Sequence, residues 1–388
     1  MGKTTQSENK ISTPGVNLMS SMDEVVSSCA TQPLDPMAVY ERPGYKLNSF
    51  VDKFIKTDTG FIPVIKSKLD KEDRVSTFFV RCGVNRYQYR VTPGLYGIGK
   101  PDKKSEVLVT ANFKLTFDHL RKELGNINAW ILVLDTKGIN VWCAAGKGTF
   151  STTKIVKRIK VCSLEKIVEH KHIIVPQLGA TGVSARDVKK QSGFRVIYGP
   201  VRANDIPDFL KNSKKADKQM RQTTFTIYER FILTPVELQI ALKPALITAL
   251  VLLCIAGIGP GIFSFSQIWQ RGMVSILALV TGIVSGAFVT PILLPFIPPR
   301  EFALKGIIVG SIFAILFLIM ISSFVTGIAG FFALFLFSVA ISSFLAMNFT
   351  GTTPFTSPSG VEKEMKRYIP VQLGALIISS GLWIYSAF

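Results

Sequence analysis

The 388-residue sequence predicts an α/β domain followed by an α-helical bundle of five transmembrane helices. Three observations carry this expectation. Charge divides at Pro235: residues 1–235 hold 38 Lys/Arg and 22 Asp/Glu, leaving 7 and 4 for residues 236–388. The first part alternates short apolar strand-like runs with helical stretches, and the second contains five apolar segments near the roughly 20 residues that cross a bilayer as helix. A net charge of +19 beside a mean hydropathy of +0.34 therefore excludes one uniform globular body, and five Cys are too sparse for a disulfide scaffold.

Residues 1–44 are rich in Ser, Thr, Pro and Asp without a period and read as a mobile leader. They carry no apolar core of a cleaved signal peptide, and Gln6 breaks the myristoylation pattern. The α/β domain is placed over 45–212. Strand-like runs stand at 77–80 and 87–91, punctuated by Gly83 and by Pro93 with Gly94. Strands are expected at 107–111, 129–134 and 172–175, with helices at 117–124 and 153–159. The near-continuous apolar strands imply a parallel sheet covered on both faces by helices.

Residues 213–235, with Lys214, Lys215, Lys218, Arg221 and Arg230, read as a basic juxtamembrane linker on an anionic leaflet. The membrane segments fall at about 236–258, 272–297, 302–324, 326–347 and 369–388. Inside connections would carry Arg300, Lys305, Lys363, Lys366 and Arg367, and outside ones only Arg271. By the positive-inside rule the α/β domain and the 348–368 loop are cytoplasmic, which makes a multi-pass protein of the inner (cytoplasmic) membrane. Only Glu237 and Lys243, near the first entry, come close to being intramembrane charges, so the bundle reads as an anchor rather than a transporter. The pairs Gly282 with Gly286 and Gly306 with Gly310 predict close helix packing, and 257–261 predicts the first outside turn.

The chain has three His: His119, His170 and His172. The last two stand two apart with no Cys pair at zinc spacing, which argues against a structural zinc site. No phosphate-binding Gly loop or nucleophile elbow is present. The positive charge gathers beside the membrane without a recognition module, so no nucleic-acid partner is expected. Among the Cys, Cys29 falls in the leader, Cys82 in a strand, Cys162 in a helix and Cys254 in a membrane span, and all four read as inert small residues. Cys143 differs, because it lies between a buried strand and a helix, at the carboxyl end of a parallel sheet where ligands bind. A helix N-terminus and Lys147 favour its thiolate, and Ala144, Ala145 and Gly146 would let a large flat ligand approach. From these residues alone, a reactive or ligating Cys143 and a plainly packed one are equally supported.

The segment Asn-Val-Trp-Cys-Ala-Ala-Gly-Lys at 140–147 matches, at every position, the Asn-(Val/Ile)-Trp-Cys-Ala-(Ala/Gly)-Gly-Lys signature of the mercury-methylating corrinoid protein family (HgcA). Residues 90–210 also resemble the corrinoid-binding domain of the corrinoid iron-sulfur protein large subunit, through 109–118, 177–183 and 198–203. The 348–365 loop echoes the same larger family, and the similarity covers most of 45–388. This resemblance implies a Rossmann-like corrinoid-binding domain with a cap helix, and a cobamide (vitamin B12-type corrinoid) held with its own base displaced. Cys143 would be the catalytic residue and the lower axial thiolate ligand of cobalt. Asn140, Val141, Trp142, Ala144, Ala145, Gly146 and Lys147 would form the cap, Thr110 and Thr116 would contact the cofactor, and Gly179 and Gly182 would flank a turn admitting the nucleotide tail's phosphate.

The implied activity is methyl transfer from methyl-Co(III) corrinoid to Hg(II), forming methylmercury. The Asp-x-His-x-x-Gly motif of histidine-ligated cobamides is absent, which leaves thiolate as the available soft donor. The family's partners would be a 4Fe-4S ferredoxin-like protein (HgcB) as electron donor, an upstream methyl donor protein or methyl-tetrahydrofolate-type donor, Hg(II) and membrane lipid. This chain has no cluster spacing and so no iron-sulfur cluster of its own. The alternatives are a corrinoid methyl carrier of one-carbon and acetyl-CoA metabolism, and a membrane transporter with a cytoplasmic regulatory domain.

Overall fold

In a computed structural model of the chain, the residues described are 49–388 apart from 326, 354, 355 and 357. The leader expected over 1–44 lies outside them. The centre of the first half is set by two apolar strands, β4 (Glu106–Ala111) and β5 (Ala129–Leu134). Along both, alternate residues enter opposite cores, with Val107, Val109, Trp130 and Leu132 on one face and Leu108, Ile131 and Val133 on the other. A period of two buried on both sides produces the continuous apolar runs seen in the sequence.

Around this pair the sheet adds β1 (Val51–Thr57), β2 (Gly60–Ile65), β3 (Gly94–Ile98), β6 (His172–Val175) and β7 (Arg195–Tyr198), in the order β1-β2-β3-β5-β4-β6-β7. The four strands β5-β4-β6-β7 are parallel as expected. The sheet as a whole is mixed, because β3 runs antiparallel to β5 and β1 pairs with β2 as an antiparallel hairpin.

Helices cover both faces. One carries α3 (Val141–Gly146), α4 (Thr152–Val161), α5 (Leu164–Ile167) and α6 (Ala185–Ser192), and the other α2 (Lys114–Glu123) and α7 (Ile206–Lys211). The strand expected at 77–80 is instead the end of a helix, α1 (Lys71–Arg81), with Cys82 as its C-cap. The Thr-Phe-Phe-Val run has strand propensity, but Asp70 and Asp73 form a reciprocal capping box that starts a helix six residues earlier. The run at 87–91 is also not a strand. It holds a short 3-10 turn, Arg86–Gln88, and a single bridge from Arg90 to Phe113, after Gly83 and Asn85 turn the chain through positive φ.

Among the described residues, five helices are long and apolar enough to cross a membrane. The first, α8 (Ile227–Ala256), begins well before 236 and carries Pro235 inside it, so the linker read over 213–235 gives way to helix at Ile227. Thr226 and Glu229 cap it reciprocally, a local signal stronger than the change in composition. A small hairpin of β8 (Ile258–Gly259) and β9 (Ile262–Phe263) forms the turn expected at 257–261. Next come α9 (Phe265–Ile283), continued through a π-helical turn at Val284–Val289 into α10 (Thr290–Leu293), then α11 (Phe302–Met320) and α12 (Gly327–Asn348). The last, α13 (Pro358–Tyr385), starts inside the 348–368 segment read as loop.

The paired glycines pack as predicted, all four against α12. A Cβ on Gly286 would stand 2.4 Å from the Ser342 carbonyl oxygen, and one on Gly306 2.7 Å from the same atom. Of the expected Glu237 and Lys243, the first is half-buried and the second exposed, and the buried charges of this half are others. Lys305, read as a loop residue, lies in α11 and donates from Nζ to the carbonyls of Leu294 (2.6 Å) and Ile297 (2.5 Å), while Arg230 donates to Ile292 and Phe225. These cations take up carbonyls freed where Pro291, Pro295 and Pro298 break the helix end.

Candidate functional site

From β4 the chain passes to β5 on one side and then, after α3 to α5, returns to β6 on the other. The two crossovers leave in opposite directions between β4 and β6, and such a switch point opens a crevice at the strands' carboxyl ends. A cleft of about 300 Å³ lies there. Its walls include Thr110, Ile174 and Pro176 from the strand ends, Thr116 and His119 from α2, and Asn140, Val141 and Trp142 from α3.

The loop leading to α3 is held by a residue not singled out from the sequence. Asn112 is fully buried at the end of β4, and its Oδ1 accepts the backbone N–H of Thr136 (3.0 Å), the Thr136 hydroxyl (2.9 Å) and the N–H of Gly138 (3.0 Å). Its Nδ2 donates to Asp135 Oδ1 at 3.2 Å. Gly138 has φ +74°, and a Cβ there would stand 2.8 Å from Arg90 Nε, so this turn both needs glycine's conformation and lacks room for a side chain. The only local hint of Asn112 is a polar residue directly after an apolar strand.

Asn140 is the N-cap of α3, its Oδ1 accepting the Cys143 N–H at 2.9 Å. Val141, Ala144 and Ala145, spaced i, i+3 and i+4, enter the core, while Trp142, Cys143, Gly146 and Lys147 are exposed. Ala144 and Ala145 therefore do not open a side of the sulfur to a flat ligand, since they face inward. Their small size serves the turn beneath. A Cβ on Gly182 would lie 2.3 Å from the Phe150 carbonyl oxygen and 3.1 Å from Ala145 Cα, and one on Gly179 2.6 Å from the Phe150 ring. Close packing under α3 accounts for both glycines. The structure thus brings Thr110, Thr116, Asn140, Val141 and Trp142 to one cleft, with exposed Cys143 next along α3 and Gly179 and Gly182 below it.

The other described thiols of the α/β half, Cys82 and Cys162, are half-buried. Burial pushes the Cys162 thiol up to about 11, whereas Cys143 is exposed. On the cleft wall, His119 Nε2 stands 3.2 Å from Arg81 Nη2. Burial, followed by the charges of Arg81 and Lys122, holds His119 below the ordinary histidine value, which makes it neutral at neutral pH. Behind it, Lys114 reaches Asp73 (2.6 Å) and Asp118 (2.7 Å), and Arg121 reaches the same two carboxylates (2.5 and 2.7 Å), fastening α1 to α2.

His170 and His172 stack at 3.9 Å at the opposite, amino-terminal edge of the sheet. Together with Glu106 they are close enough to hold an ion. However, Lys214 Nζ lies 2.5 Å from Glu106 Oε1 and 3.0 Å from His172 Nε2, so this chain's own ammonium supplies the positive charge there. Glu106 and Lys214 are distant in sequence, and spacing could not reveal the cluster.

Comparison with known proteins places relatives on this half. Residues 84–210 match the family described as CO dehydrogenase/acetyl-CoA synthase delta subunit. The acetyl-CoA decarbonylase/synthase complex subunit gamma of Methanopyrus kandleri is 35% identical over 128 residues, covering 32% of this chain and 27% of that protein. The subunit of the same name from Methanocaldococcus jannaschii is 34% identical over 125 residues, 32% of this chain and 25% of its own. The corrinoid/iron-sulfur protein large subunit of Moorella thermoacetica is 34% identical over 124 residues, 31% and 27% of the two chains. Residues 84–210 are therefore similar to subunits of acetyl-CoA decarbonylase/synthase complexes and to a corrinoid/iron-sulfur protein large subunit. The chain spans about a quarter of the length of these curated relatives, and α1 and all five membrane-length helices lie outside the matched residues.

Proposed function

We propose that the α/β half binds a corrinoid in the cleft between α3 and the carboxyl ends of β4 and β6, and that the chain is a membrane-anchored methyltransferase whose acceptor is Hg(II). The observation that carries this reading is an Asn140-capped α3 whose Asn140, Val141 and Trp142 line a switch-point cleft, with Cys143 exposed at the next position along the helix. The residues fit the group. The cleft is mostly apolar with hydroxyls and an amide in its wall, a lining that suits an apolar ring with polar edges. When bound, the corrinoid supplies a cobalt-held methyl group, and delivery to an electrophile such as Hg(II) takes that methyl off as a carbanion equivalent or a radical.

The chain's residues do the rest. Cys143 would hold the cobalt through its sulfur, a soft donor that would lend electron density to the bound group. Asn140 caps the helix that carries it, Trp142 and Val141 would shield the bound group from water, and Thr110 and Thr116 would hold it through their hydroxyls. An external 4Fe-4S ferredoxin-like protein would return electrons after each turnover, and a methyl donor would recharge the site. The excess of Lys and Arg on one set of connections supports a cytoplasmic position for the α/β half.

A second reading, a methyl carrier of acetyl-CoA metabolism, is favoured by the names of the relatives, which support it more directly than they support mercury. The signature around Cys143 favours the first reading. The full chain, reconstituted with methylcobalamin and offered Hg(II) or the nickel centre of acetyl-CoA synthase, separates them. Methylmercury as product supports the first, and methyl transfer to nickel alone sinks it. Failure of the purified chain to retain any cobamide absorbance would sink both.

A further inference from the structure

Helix α1 has its polarity reversed. Its inward face carries Asp73 and Val80, with Asp73 in the buried ion network, while its outward face and the following turn expose Val75, Phe78, Phe79, Val84 and Tyr87. Phe78 is 64% exposed and Tyr87 76%. A helix at a water-facing surface puts polar groups outward, so this cluster calls for an apolar cover.

The cover is identified by what stands next to it. The turn after α1 abuts α8, with Gly83 against Gln239 so closely that a Cβ would lie 2.7 Å from Gln239 Oε1. Gln239 stands one turn before Lys243, the last charged residue of α8, after which the helix is free of charge to Ala256, and its neighbour Ile240 is 61% exposed on the outer surface of α8. The apolar face of α1 is thus continuous with the surface α8 turns to lipid. Lys71 and Arg74 are exposed on the same helix, in reach of anionic headgroups. We propose that α1 and the turn through Tyr87 form an interfacial helix, seated in the headgroup region of the bilayer that α8 crosses. The α/β half is thereby held against the membrane at a second point, besides its link to α8. The proposal rests on the five helices spanning a membrane and not on the corrinoid or mercury reading.

The test uses the full chain in nanodiscs of phosphatidylcholine and phosphatidylglycerol, with the photo-crosslinker p-benzoylphenylalanine placed at Phe78, at Tyr87, or at Val161. Val161, also exposed, ends α4 on the opposite face of the sheet. Irradiation is expected to give lipid adducts by mass at positions 78 and 87, several-fold above position 161. Crosslinks to a second copy of the chain, no adduct at 78 and 87, or equal adducts at all three positions would overturn the proposal.

Discussion

The Asn140 side chain accepts the backbone N–H of Cys143 at 2.9 Å, so the residue that starts the cap helix also fixes the residue on which the proposed chemistry turns. Loss of an N-cap costs about 1 kcal/mol. Asn140→Ala should therefore leave the thermal midpoint of the full chain within a few degrees while speeding amide exchange at 141–145 and lowering methyl transfer. Asn140→Asp keeps the cap and should restore both. Unchanged exchange in the Ala variant would show that the cap does not hold α3.

Cys143 should be the first thiol of the α/β half to react. With Cys162 pushed up to about 11 by burial and Cys143 exposed, iodoacetamide at about pH 8 should alkylate Cys143 well before Cys162, read by peptide mass. Cys143→Ala should also abolish methyl transfer to Hg(II) and change the visible spectrum of the reconstituted cofactor. Cys82→Ala and Cys162→Ala should do neither.

The pairing of α1 with α2 should be sensitive to charge removal and to acid. Removing one partner of a buried ion pair costs about 3–5 kcal/mol, so Asp73→Asn should destabilise the α/β half by that order, measured by denaturant unfolding in detergent. Burial pushes Asp73 upward, but hydrogen bonds from Lys114 and Arg121 outweigh it and hold the carboxyl below its ordinary 3.8. Its stabilisation is then present above 3.8 and lost as pH falls through the lower folded value. Burial pulls Lys114 down, but Asp118 and Asp73 more than compensate, which raises it above 10.5. Its contribution is full below 10.5 and is lost only as pH rises through the raised value. Stability that stayed flat down to pH 3 would contradict this account.

Gly182→Ala should disturb the cap from below. With a Cβ 2.3 Å from the Phe150 carbonyl oxygen, the turn must move, at a cost of about 1–3 kcal/mol. The expected outcome is weaker cobamide retention and a lower thermal midpoint, whereas Gly146→Ala, which meets open space, should leave the thermal midpoint unchanged.

Much of this architecture is legible in order along the chain. The buried runs at 107–111 and 129–134 announce strands packed on both faces, because only two-sided burial removes the polar alternation. The membrane-length segments follow from composition, since a bilayer demands length and apolarity and little else. Local errors arose where one signal masked another: Thr-Phe-Phe-Val at 77–80 has strand propensity, yet a capping box at Asp70 outranks it, and Pro235 looked like a boundary though Thr226 caps a helix that runs through it. For the candidate site, the eight residues at 140–147 marked the place, and Asn140, Val141 and Trp142 do line the cleft.

The sequence by itself determined the two-part plan, the strands at the centre of the sheet and the segment around Cys143, because period, length and local capping are properties of neighbours in the chain. Only the tertiary structure decided which face of α3 is exposed, that Asn112 holds its loop, that His119 shares the cleft, and that Lys214 sits between Glu106 and His172. Each of those joins groups tens of residues apart, and burial and hydrogen-bond partners exist only once the sheet has brought them together.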